Sequence, residues 1–200
     1  LVVKLNIWMM VLYFPLLNIE TLLLKNNKMS ILEIVKEPDP ILRKKSKEVE
    51  NIDQSIQRLM DNMLETMYEA PGIGLAAPQV GILKRIIVID LAKQDEPKKP
   101  LYIINPKILW KSEELISREE GCLSIPGYFA EVARPSKCKV QYLDYNGKPQ
   151  ITDADDLLST CIQHEVDHCD GILFIDYLSK LKKDMILKKL IKTKKEKQIL

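Results

Sequence analysis

Cysteine is scarce in this 200-residue chain: four residues, with no C-x-x-C spacing and no dense framework. That excludes a disulfide-built scaffold and fits a reducing compartment; the one pairing left open is Cys122 with Cys161. An excess of either charge is missing too. Thirty basic residues face 28 acidic ones, so there is no global nucleic-acid signature, although lysines crowd the C-terminus. No internal repeat is visible. The N-terminal apolar run, Ile7 to Leu17, is broken by Pro15, falls short of the roughly 20 residues of a membrane span, and is followed by no small-x-small cleavage site. Histidine is rarest of all. The only two are His164 and His168.

What is present suits one domain with a full core: 46% hydrophobic residues is ordinary for a globular protein. The chain is organised around Cys161-Ile162-Gln163-His164-Glu165-Val166-Asp167-His168, expected inside a helix from about Asp153 to Cys169. Histidines four residues apart lie one turn above the other on one face, where a single metal ion can join them. Glu165 projects beside the first, in the place of a general base. Leu157 and Cys161 continue the histidine stripe while Ile162 and Val166 are apolar on other faces, so the helix reads as buried. Buried imidazoles need partners, and a shared metal satisfies both. A catalytic site needs a third protein ligand and one open position. Cys161 lies about 7–8 Å along the axis from a metal held midway between the histidines, beyond the reach of its short side chain, and Cys169 points about 100° away from His168. Cys122, in Glu120-Gly121-Cys122-Leu123-Ser124, is the best candidate.

Read in order, residues 1–28 form an upstream extension ahead of Met29, with a membrane anchor as the alternative. Asp53 reads as the cap of a helix to Tyr68, in which Ile56, Leu59, Met60, Met63, Leu64 and Met67 recur at helical spacing; the methionines are expected in the core. Pro71 to Gln79 is small, apolar and glycine-rich. It lacks the features of a phosphate cradle and suits a loop whose backbone pairs with an extended ligand. The amide of Gln79 is placed to donate to an oxyanion. Strands are expected at Lys84–Asp90, 101–104, 108–110, 116–120, 132–133 and 137–145, with an Asn146-Gly147 hairpin turn returning through 150–152. Thr152 or Asp153 should cap the metal helix and Gly171 end it. A short strand 172–174 and a last helix from about Tyr177 follow. Strands do not alternate with helices, so the fold class is α+β: antiparallel sheets wrapped around a central metal-binding helix, with an N-terminal and a C-terminal helix.

Three segments together, Gly72-Ile73-Gly74-Leu75-Ala76-Ala77-Pro78-Gln79, Glu120-Gly121-Cys122-Leu123-Ser124 and Gln163-His164-Glu165-Val166-Asp167-His168, match in order and spacing the signature motifs of peptide deformylase. The resemblance covers about Ser30 to Leu181, and Asp170 to Phe174 resembles the bacterial type. It implies a catalytic domain over 29–181 with a basic helical tail at 182–200, and an enzyme that removes the formyl group from formyl-methionine at the start of nascent polypeptides, releasing formate in the cytoplasm. It implies one divalent metal, Fe(II) physiologically with Zn, Ni or Co in preparations, held by Cys122, His164 and His168. Glu165 would be general base and acid; Gln79 and the Leu123 backbone N–H would hold the oxyanion. Ile73, Gly74 and Gly121 would pair with substrate backbone. Leu157, Thr160 and Cys161, with Leu123, would line the methionine pocket. A thiolate beside Fe(II) implies oxygen sensitivity.

Two positions depart from the family. Phe129 stands where many bacterial members have an arginine facing the substrate, so contacts beyond methionine should differ, and Cys169 replaces a usual leucine. Arg134 matches a frequent arginine and is expected in a structural ion pair. The tail carries nine lysines from Lys180 to Lys197 beside a stripe of Leu178, Leu181, Met185 and Leu190. It reads as a solvated helix packed by that stripe, or, as the resemblance implies, a helix that contacts ribosomal RNA. No DNA or membrane partner is expected. Two other readings remain at this level: a metallopeptidase with an open groove on both sides of the metal, and a non-catalytic ribosome-binding module, against which the intact Glu165 and Gln79 argue.

Overall fold

Among the described residues the strands pair antiparallel throughout and fall into two sheets, with one isolated parallel bridge outside them at Lys47–Lys84. The computed structural model describes residues 29–93 and 95–199, with side chains through 192; the expectations for residues 1–28 lie outside the described residues. The chain divides into units of residues 1–30 and Ile31–Leu200, and the fold below belongs to the second.

Helix α1 spans Gln54–Glu69. Asp53 caps it as expected, its carboxylate accepting from the backbone N–H of Ser55 and Ile56. The five-stranded sheet has the order β1-β2-β3-β6-β7: β1 Gly74–Ala76, β2 Ile86–Ile89, β3 Leu101–Lys111, β6 Lys137–Leu143 and β7 Pro149–Asp155. A separate hairpin pairs β4 Leu115–Cys122 with β5 Ile125–Pro135. Helix α2, Asp156–Cys169, carries both histidines, and α3, Lys180–Ile199, follows a short 3₁₀ turn at Phe174–Tyr177.

Strand β2 shows why the sheet needs a helix on each face. Ile86 and Val88 pack with Met60, Met63 and Met67 of α1, while Ile87 and Ile89 pack with Cys161, Ile162 and Val166 of α2. A period of two along the strand thus feeds two cores, and the unbroken Ile-Ile-Val-Ile run is what a strand buried on both faces requires. The three methionines are fully buried. A third core joins the hairpin (Ile125, Val132) to Leu42, Phe174 and Leu190 of α3. Helix α2 is thereby enclosed, with Ser159 through Val166, His168 and Cys169 buried.

Several boundaries differ from the sequence reading. Helix α2 begins at Asp156, because Asp153–Asp155 complete β7 through pairing with Lys137–Lys139. The N-cap position is Asp155, which makes no side-chain cap bond. Asp156 takes φ +48, which swings the chain from strand into helix, and its carboxylate pairs with Arg118. Asn105-Pro106 does not divide two strands; it is a bulge inside β3, with Asn105 at φ +53 and its side chain exchanging hydrogen bonds with the backbone of Val49. Strand β5 bulges at Pro126 and Gly127: its pairing with β4 steps from Cys122–Ile125 to Gly121–Phe129, and Gly127 takes φ +79, so the chain turns there within the strand's bounds. The expected strand at 172–174 is absent, and a 3₁₀ turn starts at Phe174. Gly171, at φ +76, does end α2. The apolar stripe of the last helix is shifted: Ile186, Leu187 and Leu190 face the core, and Leu181 and Met185 are exposed.

Candidate active site

The site forms where the turn of the β4–β5 hairpin meets α2 and the free edge of β1. Cys122 ends β4, and its Sγ lies 3.2 Å from His168 Nε2. His164 gives Nδ1 to Glu120 Oε2 at 2.8 Å, which leaves Nε2 for a ligand. One ligating atom from each of Cys122, His164 and His168 falls within 4.8 Å of the other two, the one such cluster among the described residues. Donors around a tetrahedral ion at ordinary bond lengths stand about 3.4–3.7 Å apart, so the set fits a divalent metal. Cys138, Cys161 and Cys169 stay outside the cluster, and all four cysteines are free thiols. Burial pushes the imidazole of His168 well below its usual pKa and keeps it neutral, the state in which it ligates.

Glu165 is 4% exposed and its Oε2 has no hydrogen-bond partner within the protein. Burial raises its carboxyl to about 7, against the pull of His164. An orphaned acid beside three convergent donors is poised to exchange a proton near neutral pH. Gln79 is 1% exposed. Its Oε1 accepts from the Ala76 backbone N–H at 2.8 Å, which turns its Nε2 toward Ser124 Oγ at 3.2 Å and Cys122 Sγ at 3.5 Å. Gly74 faces α2 so closely that a Cβ there would collide with the Glu165 carboxylate and lie 2.9 Å from Cys161 Sγ. Close approach of the β1 backbone to the acid is therefore possible only with glycine.

One cavity of ≈ 1210 Å³ is lined by Gly74, Gln79, Cys122, His164 and Glu165. Ile73, Gly74, Gly121, Leu123, Leu157, Thr160 and Cys161, the residues expected to touch substrate, all line it. β1 is an edge of the five-stranded sheet, and β4 pairs with β5 alone among the described strands. The cavity thus offers strand edges to an extended guest.

A family model described as polypeptide deformylase matches residues 31–184. The chain belongs to that family. The peptide deformylase of Pelagibacter ubique (strain HTCC1062) is 58% identical over 166 residues, covering 83% of this chain and 96% of that one. That of Rhizobium meliloti (strain 1021) is 55% identical over 167 residues, covering 84% and 96%. Among solved structures, the peptide deformylase from Ehrlichia chaffeensis superposes with a TM-score of 0.80 at 46% identity, covering 86% of this chain and 100% of that chain. The protein is therefore a metal-dependent hydrolase that removes N-terminal formyl groups from nascent peptides. No helix among the described residues is long and apolar enough to cross a membrane.

The network behind the deformylase site escaped the sequence reading. Glu120 binds His164 on one side and Arg134 on the other, with Arg134 Nε to Glu120 Oε1 at 2.5 Å. Arg134 also reaches Asp167 Oδ2 at 2.7 Å, which accepts in addition from Tyr177 Oη at 2.8 Å. Arg134 is in an ion pair as expected, but the pair orients a candidate ligand. Burial would raise the Glu120 carboxyl, yet the hydrogen bonds from His164 and Arg134 and the guanidinium charge hold it below the usual range. The available signal was general: a ligating histidine needs an acceptor for its second nitrogen, and Glu120 lies two residues before Cys122. Glu120→Ala should weaken metal binding about 10- to 100-fold and cost about 3–5 kcal/mol by leaving Arg134, 2% exposed, short of a counter-charge. Metal titration and denaturant unfolding read the two effects separately.

Proposed function

We propose that Cys122, His164 and His168 hold the catalytic ion, that Glu165 is its proton-transfer partner, and that Gln79 and the Leu123 N–H receive the oxyanion. The observation that carries this reading is the convergence of one cysteine sulfur and two imidazoles, with the buried Glu165 carboxyl, whose Oε2 has no partner in the protein, lining the same cavity as Cys122 and His164. A bound divalent ion supplies polarisation of the formyl carbonyl and a nucleophilic water at neutral pH. Glu165 takes the proton of the attacking water and returns it to the amine as the C–N bond breaks, so formate and a free N-terminus leave. Gln79, with its carbonyl fixed by Ala76, keeps its N–H aimed at the developing oxyanion; such a donor is worth about 3–4 kcal/mol. Ile73, Gly74 and Gly121 pair with the substrate backbone as an added strand. Leu157, Thr160 and Cys161, with Leu123, enclose the methionine side chain.

The ion is Fe(II), which the family resemblance implies; the donor set itself also admits zinc, nickel and cobalt. The enzyme works in the cytoplasm, where its four thiols stay reduced. The deciding experiment is formate release from formyl-Met-Ala by anaerobically purified protein with its metal quantified. Cleavage of an N-terminally blocked peptide at an internal bond, with no formate released, would favour a metallopeptidase instead.

The tail contacts ribosomal RNA. Lys182, Lys188, Lys189 and Lys192 are on the exposed side of α3 while Leu187 and Leu190 hold the helix on the domain. Deleting 182–200 would strip both leucines from the core, so charge reversal is the cleaner test. With those four lysines changed to glutamate, salt-sensitive co-sedimentation with ribosomes should drop by at least ~10-fold. Undiminished binding would end this part of the proposal.

A further inference from the structure

Phe129 has no part in the chemistry, yet its side chain is 65% exposed and lines the catalytic cavity. It stands directly across the hairpin from Gly121, and opposed residues of antiparallel strands project to the same face. Gly121 has no side chain, and the aromatic ring takes its place: a Cβ on Gly121 would lie 2.5 Å from the ring edge. The ring therefore lies over the backbone of the one glycine on β4 proposed to pair with substrate. Two residues along, on the same face, Glu119 and Glu131 oppose each other and are both exposed.

An extended chain bound along the other edge of β4 puts one of its residues across from Gly121. That residue projects to the face the ring occupies, and with no glycine side chain between them the two make contact. Cys122 marks the formyl end, so the residue in question follows the methionine. A cavity of ≈ 1210 Å³ has room for more than one side chain. We propose that Phe129 is a specificity-determining residue, favouring substrates with a large apolar or aromatic side chain at the second or third position. The carboxylates of Glu119 and Glu131 disfavour acidic side chains there. This rests on the strand-pairing reading above.

The test compares kcat/KM for formyl-Met-Ala-Ala, formyl-Met-Phe-Ala and formyl-Met-Ala-Phe. The wild-type enzyme should prefer one phenylalanine peptide over the alanine peptide by about 5- to 20-fold, expressed in KM more than kcat because the contact is equal in ground and transition states. Phe129→Ala should reduce that ratio below about twofold, and Phe129→Leu should restore part of it. A wild-type preference that survives Phe129→Ala, or no preference in wild type, overturns the proposal. A wild-type enzyme that releases formate from none of the three overturns the activity itself and the proposal with it.

Discussion

Glu165→Ala will lower formate release by about 10²- to 10⁴-fold while leaving metal content and fold in place. Among the described residues the Oε2 of the Glu165 carboxylate has no hydrogen-bond partner. Truncating it to alanine removes a buried ionisable group that costs the fold energy to keep, so stability should hold or rise. The loss should fall on kcat, because the role proposed for Glu165 is to act on the proton in flight rather than on the bound peptide. Glu165→Gln separates shape from chemistry: it fills the same space and should be as inactive as alanine. Full turnover in either variant would remove Glu165 from the mechanism.

Cys122→Ala should abolish activity by a different route. Two imidazoles remain, but the sulfur that brings the hairpin to α2 is gone, and metal content should fall with formate release. The expected loss is at least ~10³-fold, since both the polarised carbonyl and the activated water depend on the ion. Cys138→Ser is the control. Cys138 sits 1% exposed in the core between α2 and the sheet, so the change should cost stability and spare the metal. Metal analysis and formate assay on both proteins distinguish the cases; an active, metal-replete Cys122→Ala would disprove the ligand assignment.

Where the chain states its structure locally, the sequence was readable. The Asp53 cap, the apolar spacing from Ile56 to Met67, the Asn146-Gly147 turn and the Gly171 stop each depend on neighbours within a turn or two. The three residues of the candidate metal cluster lie in short strings with fixed spacing and drew attention for the same reason. Several misread elements involve tertiary pairing or packing overriding local signals. Asn105 and Pro106 announce a break, yet β3 continues past them as a bulge paired with β6 on both sides. Asp153 to Asp155 look like a helix start and are claimed by β6. In the last helix, lysines and apolar residues are too evenly mixed for one face to stand out, and the core chose Ile186, Leu187 and Leu190 over Leu181 and Met185. Within the site, bonds such as His164 to Glu120 or Gln79 to Ser124 join residues 44 and 45 positions apart, and no local pattern records them.

The hairpin of β4 and β5 shares no backbone hydrogen-bond ladder with the larger sheet. Its side-chain attachments include the Ile125 and Val132 packing, the Arg134 ion pairs and the sulfur of Cys122. Tolerance to mutation should therefore be uneven across the molecule. A substitution that loosens Val132, distant in sequence from either histidine, lets the hairpin drift and carries the thiolate with it. Loss of cofactor, rather than loss of solubility or yield, would then be the first visible symptom of damage in that layer.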